Sequence, residues 1–246
     1  MSPDAYLEMA ATEASHWWFR GRRDILTTVL AGMALPHNAA ILEIGAGTGG
    51  NLAMLAQFGN VSAVEMDATA LRLARTKTQG AFDLRNGRCP DDMPFPDHGF
   101  DLVCMLDCLE HIADDAGSLD CAAKLLKPGG AVLITVPAYQ WLWSAHDVFL
   151  HHQRRYCQRS LRALATRCGM RVDKMSYFNT LLFPLAVAAR IGDRLSGNRK
   201  ATGAGLPPRP INHALHRMLS TERHWLARAS LPFGISLMAV LRASRT

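Results

Sequence analysis

A short apolar run that meets a glycine-rich turn is the feature that most constrains the fold of this chain. Residues 40–44 read AILEI and lead directly into GAGTG at 45–49, and a helix is predicted over 50–58. An apolar run of this length, entering a helix through glycines, is typical of a buried parallel strand. Glycines let the backbone turn sharply and approach a ligand closely. The segment therefore predicts an α/β sheet with a ligand site at the end of this strand.

The same alternation continues along the chain. Further strands are predicted at 61–65 (VSAVE), 100–106 (FDLVCML) and 131–136 (AVLITV), the last after a KPGG turn at 127–130. Helices are predicted at 13–31, 116–126, 160–168 and 211–230, and two more strands at 172–179 and 235–243. Strands that alternate with helices indicate a parallel sheet with helices on both faces.

Composition excludes several classes of protein. The 246 residues are 49% hydrophobic and 20% charged, a balance that excludes disorder of the whole chain. The formal charge of +6 suits nucleic acid, anionic lipid or phosphorylated substrates, but it equally fits a mildly basic surface without a partner. No nucleic-acid-binding signature accompanies the charge.

Cysteine usage and the N-terminus indicate the compartment. The six cysteines form no CxxC pair, so free, packed thiols explain them better than disulfides or a zinc site. The start, MSPDAYLEMA, lacks the pattern of a signal peptide. The most apolar later stretch, 180–191, is shorter than the ~20 residues that span a bilayer. We therefore expect a cytoplasmic protein.

An acidic residue at the end of the second predicted strand is the second feature that indicates a ligand site. Glu65 follows the glycine turn at the distance where a carboxylate can accept hydrogen bonds from both hydroxyls of a ribose. The alternative is a surface glutamate at a strand end. The glycine spacing is GxGxG, whereas the dinucleotide fingerprint is GxGxxG, which disfavours a nicotinamide oxidoreductase.

Five segments occur in one order over residues 38–137: EIGAGTG, VEMD, MPFPDHGFDLV, LDCLEH and LLKPGG. Together they resemble the class I S-adenosylmethionine-dependent methyltransferases. The resemblance implies S-adenosylmethionine as cofactor and S-adenosylhomocysteine as product. It implies that the glycine loop holds the methionine moiety, that Glu65 holds the ribose, and that the loop over 86–91 lies near the adenine. The implied cofactor-binding residues are Glu43, Gly45, Gly47, Gly49, Glu65, Met66, Cys89 and Asp107.

Two further motifs resemble a bacterial group within that family. They are HWWFRGRR at 16–23 and HxRRY at 152–156, together with SYFNTLLFP at 176–184. N-terminal helices commonly cover the cofactor in this superfamily, so Trp17 or Trp18 could stack near the sulfonium, where an aromatic face attracts a cation. The alternative is that both rings simply pack the helix onto the sheet.

The expected fold is α/β, a Rossmann-like doubly wound and mostly parallel seven-stranded sheet with helices on both faces. We predict four parts: an N-terminal helical lid (1–37), the cofactor-binding core (38–179), a helical insert (180–231) with a flexible loop over 196–210, and a closing strand of the core (232–246). The insert carries several arginines beside apolar residues. It either makes a weak membrane-surface contact or forms a plain helical layer over the site.

Candidate catalytic residues follow the fourth and fifth strands. His111 is the last residue of LDCLEH, directly after Glu110, and residues 146–156 read HDVFLHHQRRY. A histidine could deprotonate an acceptor hydroxyl, and arginines could clamp a carboxylate or phosphate. The alternatives are a histidine bonded to the backbone and a plain polar surface helix. No metal site is predicted, since the adjacent His151 and His152 cannot share a helix face. The candidates are His111, His146, His152, Arg154 and Tyr156.

The prediction from these patterns is methyl transfer from S-adenosylmethionine to a small-molecule or glycan-like acceptor, at oxygen, with the protein positioning the acceptor and removing its proton. A glycan- or lipid-linked acceptor is compatible with it. N-methylation of a small amine and non-catalytic cofactor binding remain alternatives. Nucleic acid is disfavoured as an acceptor, because the prolyl-aromatic tetrad of base-amine methylating enzymes is absent after strand four. The oligomeric state is left open.

Overall fold

The computed structural model describes residues 3–196 and 205–243. Ten helices and seven strands are named within them. The helices are α1 (Pro3–Thr12), α2 (Trp17–Ala31), α3 (Leu52–Leu55), α4 (Ala68–Thr78), α5 (Asp115–Leu125), α6 (Ala145–Phe149), α7 (Gln158–Arg167), α8 (Phe183–Ser196), α9 (Arg209–Thr221) and α10 (Arg223–Leu226). The strands are β1 (Ala39–Ile44), β2 (Gly59–Glu65), β3 (Asp83–Asn86), β4 (Phe100–Leu106), β5 (Leu126–Pro137), β6 (Met170–Phe178) and β7 (Ser236–Ala243).

All seven strands form one sheet in the order β3-β2-β1-β4-β5-β7-β6. The strands β3, β2, β1, β4 and β5 are parallel to one another, and β7 is antiparallel to both β5 and β6. The predicted seven-stranded, mostly parallel sheet of a Rossmann-like fold is confirmed. The strand order reverses between β1 and β4, and this reversal creates a crevice at the carboxyl ends of the strands.

Each face of the sheet buries its own apolar cluster. In β1, Leu42 and Ile44 pack toward the face covered by α5 and α7, while Ile41 packs toward α2 and α3. Successive side chains of a strand point to opposite faces, so a strand with both faces covered is apolar throughout. This explains why AILEI is apolar at every position except Glu43.

The N-terminal segment differs from its prediction. The helix expected over 13–31 begins only at Trp17, as α2, and a further helix, α1, precedes it, with a break between them. The break arises because the buried Glu13 side chain turns to Thr48 of the glycine loop, and because the His16 ring accepts a hydrogen bond from the backbone N–H of Trp18 at the start of α2. The α2 helix then packs on α9, where Gly21 leaves room for the side chain of Leu219.

Four other elements differ from their predictions. The helix expected over 50–58 is a single turn, α3, and the KPGG segment forms the beginning of β5, with Gly129 at a φ of +81°. The strand β3 was not predicted. The helix expected over 211–230 is split into α9 and α10, because the buried Glu222 accepts the backbone N–H groups of Asn179 and Leu181.

Two findings bear on the remaining expectations. None of the helices in the described ranges combines the length and apolarity needed to cross a membrane. All six cysteines are free thiols. Of the predicted loop over 196–210, positions 197–204 lie outside the described residues, and α9 includes its last two positions. The division into lid, core, insert and closing strand stays a prediction.

Candidate functional site

The glycine loop lies at the carboxyl end of β1, at the edge of the crevice. Gly45, Gly47 and Gly49 all adopt positive φ, at +74°, +55° and +79°, a region that L side chains rarely occupy. A Cβ on Gly45 would lie 2.4 Å from the Sγ of Cys108. The loop therefore depends on glycine for its conformation at three positions and for close packing at one.

Glu65, at the end of β2, faces this loop. Its Oε2 accepts the backbone N–H of Gly47 at 2.8 Å, and its Oε1 accepts the backbone N–H of Asp67 at 2.8 Å. Burial raises the pKa of Glu65, and these hydrogen bonds act against that rise. A carboxylate has about four acceptor positions, so Glu65 can accept further donors such as ribose hydroxyls.

The two residues predicted near the adenine occupy different environments. Met66 is 63% exposed beside Glu65, and its carbonyl accepts a hydrogen bond from the side chain of Asn86. Cys89 is buried, and its thiol faces the carbonyl of Ser118 on α5. The thiol is thus held in the core, and the backbone contact to the cofactor stays a prediction for Cys89.

A chain of polar side chains, buried except for Asp107, joins the ends of β1 and β4 to α2. Glu43 accepts a hydrogen bond from the Nδ2 of Asn51 at 2.7 Å, and the Oδ1 of Asn51 accepts one from Arg22 at 3.1 Å. Arg22 is ion-paired with Asp107. Asp107 adopts a positive φ of 53°, and Thr135 of β5 bonds both its backbone N–H and its carboxylate.

Glu43 is fully buried, and its Oε2 has no hydrogen-bond partner among the described residues. Burial raises its pKa to about 7, although Asn51 and Arg22 act in the opposite direction. A buried acceptor without a donor is costly, by about 1–3 kcal/mol. A hydrogen-bond donor or a positive charge beside the glycine loop would therefore stabilise Glu43.

The α1 helix covers this part of the site. A Cβ on Gly47 would lie 4.0 Å from the Sδ of Met9, and Glu13 accepts the hydroxyl of Thr48 at 2.5 Å and pairs with Lys77 of α4. Burial, followed by the charge of Glu65, raises the pKa of Tyr6.

The two tryptophans of α2 serve its packing. Trp18 stacks on Phe178 of β6, with ring centroids 5.9 Å apart and planes inclined by 6°. The backbone N–H of Trp17 donates to Asn212 of α9 at 2.8 Å. These contacts match the packing alternative, and stacking on the cofactor stays a prediction for both residues.

Beyond Asp107, a short 3₁₀ helix (Leu109–His111) brings Glu110 and His111 against His152. The His111 and His152 rings meet edge to face, with centroids 4.6 Å apart. Burial, and then the charge of His152, lower the pKa of His111 to about 4, so this ring is neutral near pH 7. Glu110 is 1% exposed, and its Oε2 has no partner among the described residues.

Asp147 orients the second of these histidines. Its Oδ1 lies 2.9 Å from the Nδ1 of His152 and 2.7 Å from the Nε of Arg155, and its Oδ2 accepts from Ser144 and Arg155. Burial would raise the pKa of Asp147, but the hydrogen bonds from His152 and Arg155 lower it below its usual value. Because Nδ1 of His152 is engaged, its Nε2 is the nitrogen left for other chemistry.

The other three candidates lie around this cluster. Burial lowers the pKa of His146, whose Nδ1 has no partner in the described part of the chain. Arg154 and Tyr156 both bind the carboxylate of Asp115, at 2.7 and 2.9 Å. The structure therefore places His111 beside His152. It holds Arg154 and Tyr156 on Asp115, in contacts that stabilise the segment.

Sequence reasoning missed four residues of this site: Arg22, Asn51, Glu110 and Asp147. Arg22 was visible only as part of the HWWFRGRR motif, and Asp147 only as one polar residue of an eleven-residue stretch. Asn51 carried no signal, because its position was predicted as an ordinary helix. The pairing of residues 110–111 with residue 152 needed the packed structure.

Known proteins are similar to the central part of this chain. The family described as "Methyltransferase domain" matches residues 42–134. A demethylmenaquinone methyltransferase of Tropheryma whipplei (strain Twist) is 33% identical over 95 residues, which are 38% of this chain and 40% of that protein. This chain thus spans about two fifths of the length of that curated relative.

Solved structures share the fold at low identity. A chain from the complex of the Haloferax volcanii Trm112 methyltransferase activator has a TM-score of 0.64 at 19% identity, covering 100% of this chain and 99% of that one. Haemonchus contortus phosphoethanolamine N-methyltransferase 2 in complex with S-adenosyl-L-methionine has a TM-score of 0.59 at 17% identity, covering 90% and 52%. Residues 42–134 therefore match a methyltransferase domain, and the solved structures share the fold of the chain.

Proposed function

We propose that this protein transfers the methyl group of S-adenosylmethionine to an oxygen of a small-molecule or glycan-like acceptor. The observation that carries the proposal is the arrangement of two half-sites along one crevice. The glycine loop, Glu65 and Glu43 form one half, and the oriented His152 with its neighbour His111 forms the other, beyond Asp107. One half suits the cofactor, and the other suits removal of a proton.

In the cofactor half, each group has a chemical task. Glu65 accepts the ribose hydroxyls, with Met66 and the backbone of Cys89 beside the adenine. The backbone of Gly45, Gly47 and Gly49 carries the methionine moiety. The ammonium of the methionine moiety carries a positive charge and N–H donors. It can therefore satisfy the buried carboxylate oxygen of Glu43 that has no partner among the described residues. Asp107 lies at the same end, and Arg22 supplies a cation for the cofactor carboxylate.

In the acceptor half, the reaction is an in-line displacement. The acceptor oxygen attacks the methyl carbon, the carbon–sulfur bond breaks, and sulfur keeps the electron pair as neutral S-adenosylhomocysteine. The Nε2 of His152 accepts the hydroxyl proton, with Asp147 stabilising the resulting imidazolium. His111 and His146 are the other candidate bases. An amine acceptor would need less help from a base, so N-methylation remains the alternative.

The experiment uses isotopically methyl-labelled S-adenosylmethionine. Purified protein is incubated with the labelled cofactor and extract of the source organism, and lipid, small-molecule, protein and nucleic-acid fractions are separated. We expect label in the small-molecule or lipid fraction, above a Glu65→Ala control. Cofactor binding measured by titration without label in any fraction would favour the alternative of a non-catalytic binding protein. No cofactor binding at all would refute the proposal.

A membrane-surface contact through residues 180–231 is part of the proposal, and it suits a lipid-linked acceptor. On α8, Leu185 is 66% and Ile191 53% exposed, and Phe183 packs on Trp141, which follows β5 beside the acceptor half. Exposed apolar side chains next to basic ones suit an anionic lipid surface. Sedimentation with anionic vesicles tests this.

We expect Leu185→Glu to lower vesicle binding. The matched substitution Leu7→Glu, on the exposed face of α1 and outside this segment, should leave binding unchanged. Equal binding of both variants, or none by the wild-type protein, would contradict the membrane contact without touching the methyl-transfer proposal.

A further inference from the structure

The cluster of Glu110, His111 and His152 has the composition of a metal centre. Each of the three offers one ligand atom, and these atoms all lie within 4.8 Å of one another. Two imidazole nitrogens and one carboxylate oxygen form a donor set that binds Zn²⁺ and other first-row divalent ions, with positions left open for a further ligand.

We propose that Glu110, His111 and His152 bind a divalent transition-metal cation, with Zn²⁺ and Co²⁺ as matching ions, at the carboxyl end of β4. The binding itself does not depend on the proposed function, whereas its consequence for methyl transfer rests on it. The sequence analysis expected no metal, because it paired His152 with its neighbour His151. The structure pairs His152 with His111, which comes from a different element.

The first argument is the unpartnered oxygen. Glu110 is 1% exposed, and its Oε2 has no hydrogen-bond partner among the described residues, although buried acceptors are nearly always satisfied. A carboxylate oxygen of Glu110 lies in one cluster with a ring nitrogen of each of the two imidazoles. A cation at this point would satisfy it.

The second argument is charge. Asp147 is paired with Arg155 through two hydrogen bonds, and Asp107 is paired with Arg22. Glu110 has no ion pair of its own within the described ranges. An ionised Glu110 is therefore buried without a counter-charge, which is strongly unfavourable. A divalent ion supplies that charge where the two rings supply nitrogen ligands.

The third argument is the support of His152. Metal-binding histidines almost always donate their second ring N–H to a carboxylate or carbonyl, which fixes the ring orientation. The Nδ1 of His152 lies 2.9 Å from the buried Asp147, so the Nε2 remains for a metal. Tetrahedral ligands at about 2.0–2.1 Å from zinc lie about 3.3 Å apart, so small side-chain rotations complete the site.

The consequence concerns how the acceptor loses its proton. A bound divalent ion lowers the pKa of a hydroxyl that coordinates it. The imidazoles then hold the ion instead of accepting the proton, which leaves to water, and the acceptor oxygen forms the new bond to the methyl carbon. The substrate class this favours is a hydroxyl with a second oxygen nearby, such as a diol, because two open positions on one ion can hold both.

The test is cobalt binding by untagged, chelator-treated protein, followed by visible absorption and equilibrium dialysis. We expect one Co²⁺ per chain, with the absorption bands of a low-coordinate nitrogen and oxygen site. Glu110→Gln and His152→Ala should each weaken binding by at least 10-fold, since loss of a supporting residue alone costs about 10–100-fold. His151→Asn is the matched control: it alters the exposed neighbour, whose φ of +58° asparagine tolerates, and should leave binding unchanged.

Two results would overturn the inference. One is wild-type protein without cobalt bands, the outcome expected if Glu110 instead carries a proton. The other is equal affinity in wild type, Glu110→Gln and His152→Ala, which would put the ion elsewhere. Titration with S-adenosylmethionine in parallel separates this inference from the proposed function, because cofactor binding without cobalt binding refutes only the metal site. Cobalt binding without cofactor binding refutes only the proposed function.

Discussion

Replacing Glu43 with glutamine should make the protein more stable at high pH and leave it nearly unchanged at low pH. Glu43 is fully buried and its pKa is raised from 4.5 to about 7. Between these two values the folded protein holds a proton that the unfolded chain has released. The free energy of unfolding of the wild-type protein therefore falls as the pH rises through this window.

The magnitude follows from the shift. One pKa unit corresponds to about 1.4 kcal/mol, so the rise from 4.5 to about 7 corresponds to about 3 kcal/mol at full ionisation. Between pH 5 and pH 8 the ionisation of Glu43 lowers the free energy of unfolding of the wild-type protein by about 2.5 kcal/mol. Glutamine has no charge to bury, and its oxygen can still accept the hydrogen bond from Asn51. The difference in stability between Glu43→Gln and wild type should grow by that amount across this range.

The assay is urea unfolding of both proteins at several pH values, with the difference between them taken at each pH so that other titrating groups cancel. Glu8→Gln, which removes an exposed carboxylate on α1, is the control and should show no such trend. A difference that stays flat from pH 5 to pH 8 would refute the reasoning. The same variant should bind S-adenosylmethionine more weakly, as expected where a strained buried charge is kept for function.

Two further predictions concern packing and a buried ion pair. Gly21→Ala should lower the free energy of unfolding by about 1–3 kcal/mol, because its Cβ would lie 2.7 Å from the Cδ2 of the buried Leu219. Gly192→Ala, on the exposed face of α8 with nothing within 4 Å of the new Cβ, should raise it by up to about 1 kcal/mol; urea unfolding that shows equal effects would contradict this account. Asp147→Asn should cost about 3–5 kcal/mol in the same assay, since it leaves the buried Arg155 without its counter-charge, and a loss below about 1 kcal/mol would show that the pair is not needed.

The sheet could be predicted from the sequence because its central strands are buried on both faces. Such strands are mostly apolar, and the glycines that follow β1 mark its end. The strand β3 gave no such signal, since three of its four residues are exposed at the edge of the sheet. Local pattern therefore located the strands of the crevice and missed β3, a short strand at one edge of the sheet.

The candidate site was predictable only where one segment carries it. The glycine loop and Glu65 each follow a recognisable strand, so their places could be read from the chain. The cluster of Glu110, His111 and His152 could not, because it depends on how the segment after β5 packs against the segment after β4. The Asp147 carboxylate that orients His152 is likewise defined by burial, which a single sequence does not reveal.

Arg22 is one of the residues that attach the predicted lid to the core. The α2 helix that carries it is part of the core: Ile25 and Leu26 are buried in the cluster shared with β1. Among the described residues, Arg22 is the only cation in an ion pair with Asp107. It also donates a hydrogen bond to Asn51, which in turn donates one to Glu43. Separating residues 1–37 from the core would thus expose apolar surface and leave two carboxylates of the crevice without their counter-charge. The α1 helix contacts the glycine loop through Met9, and Glu13, which follows α1, contacts Thr48, so a cover would move at this part of the segment without separating α2 from the core.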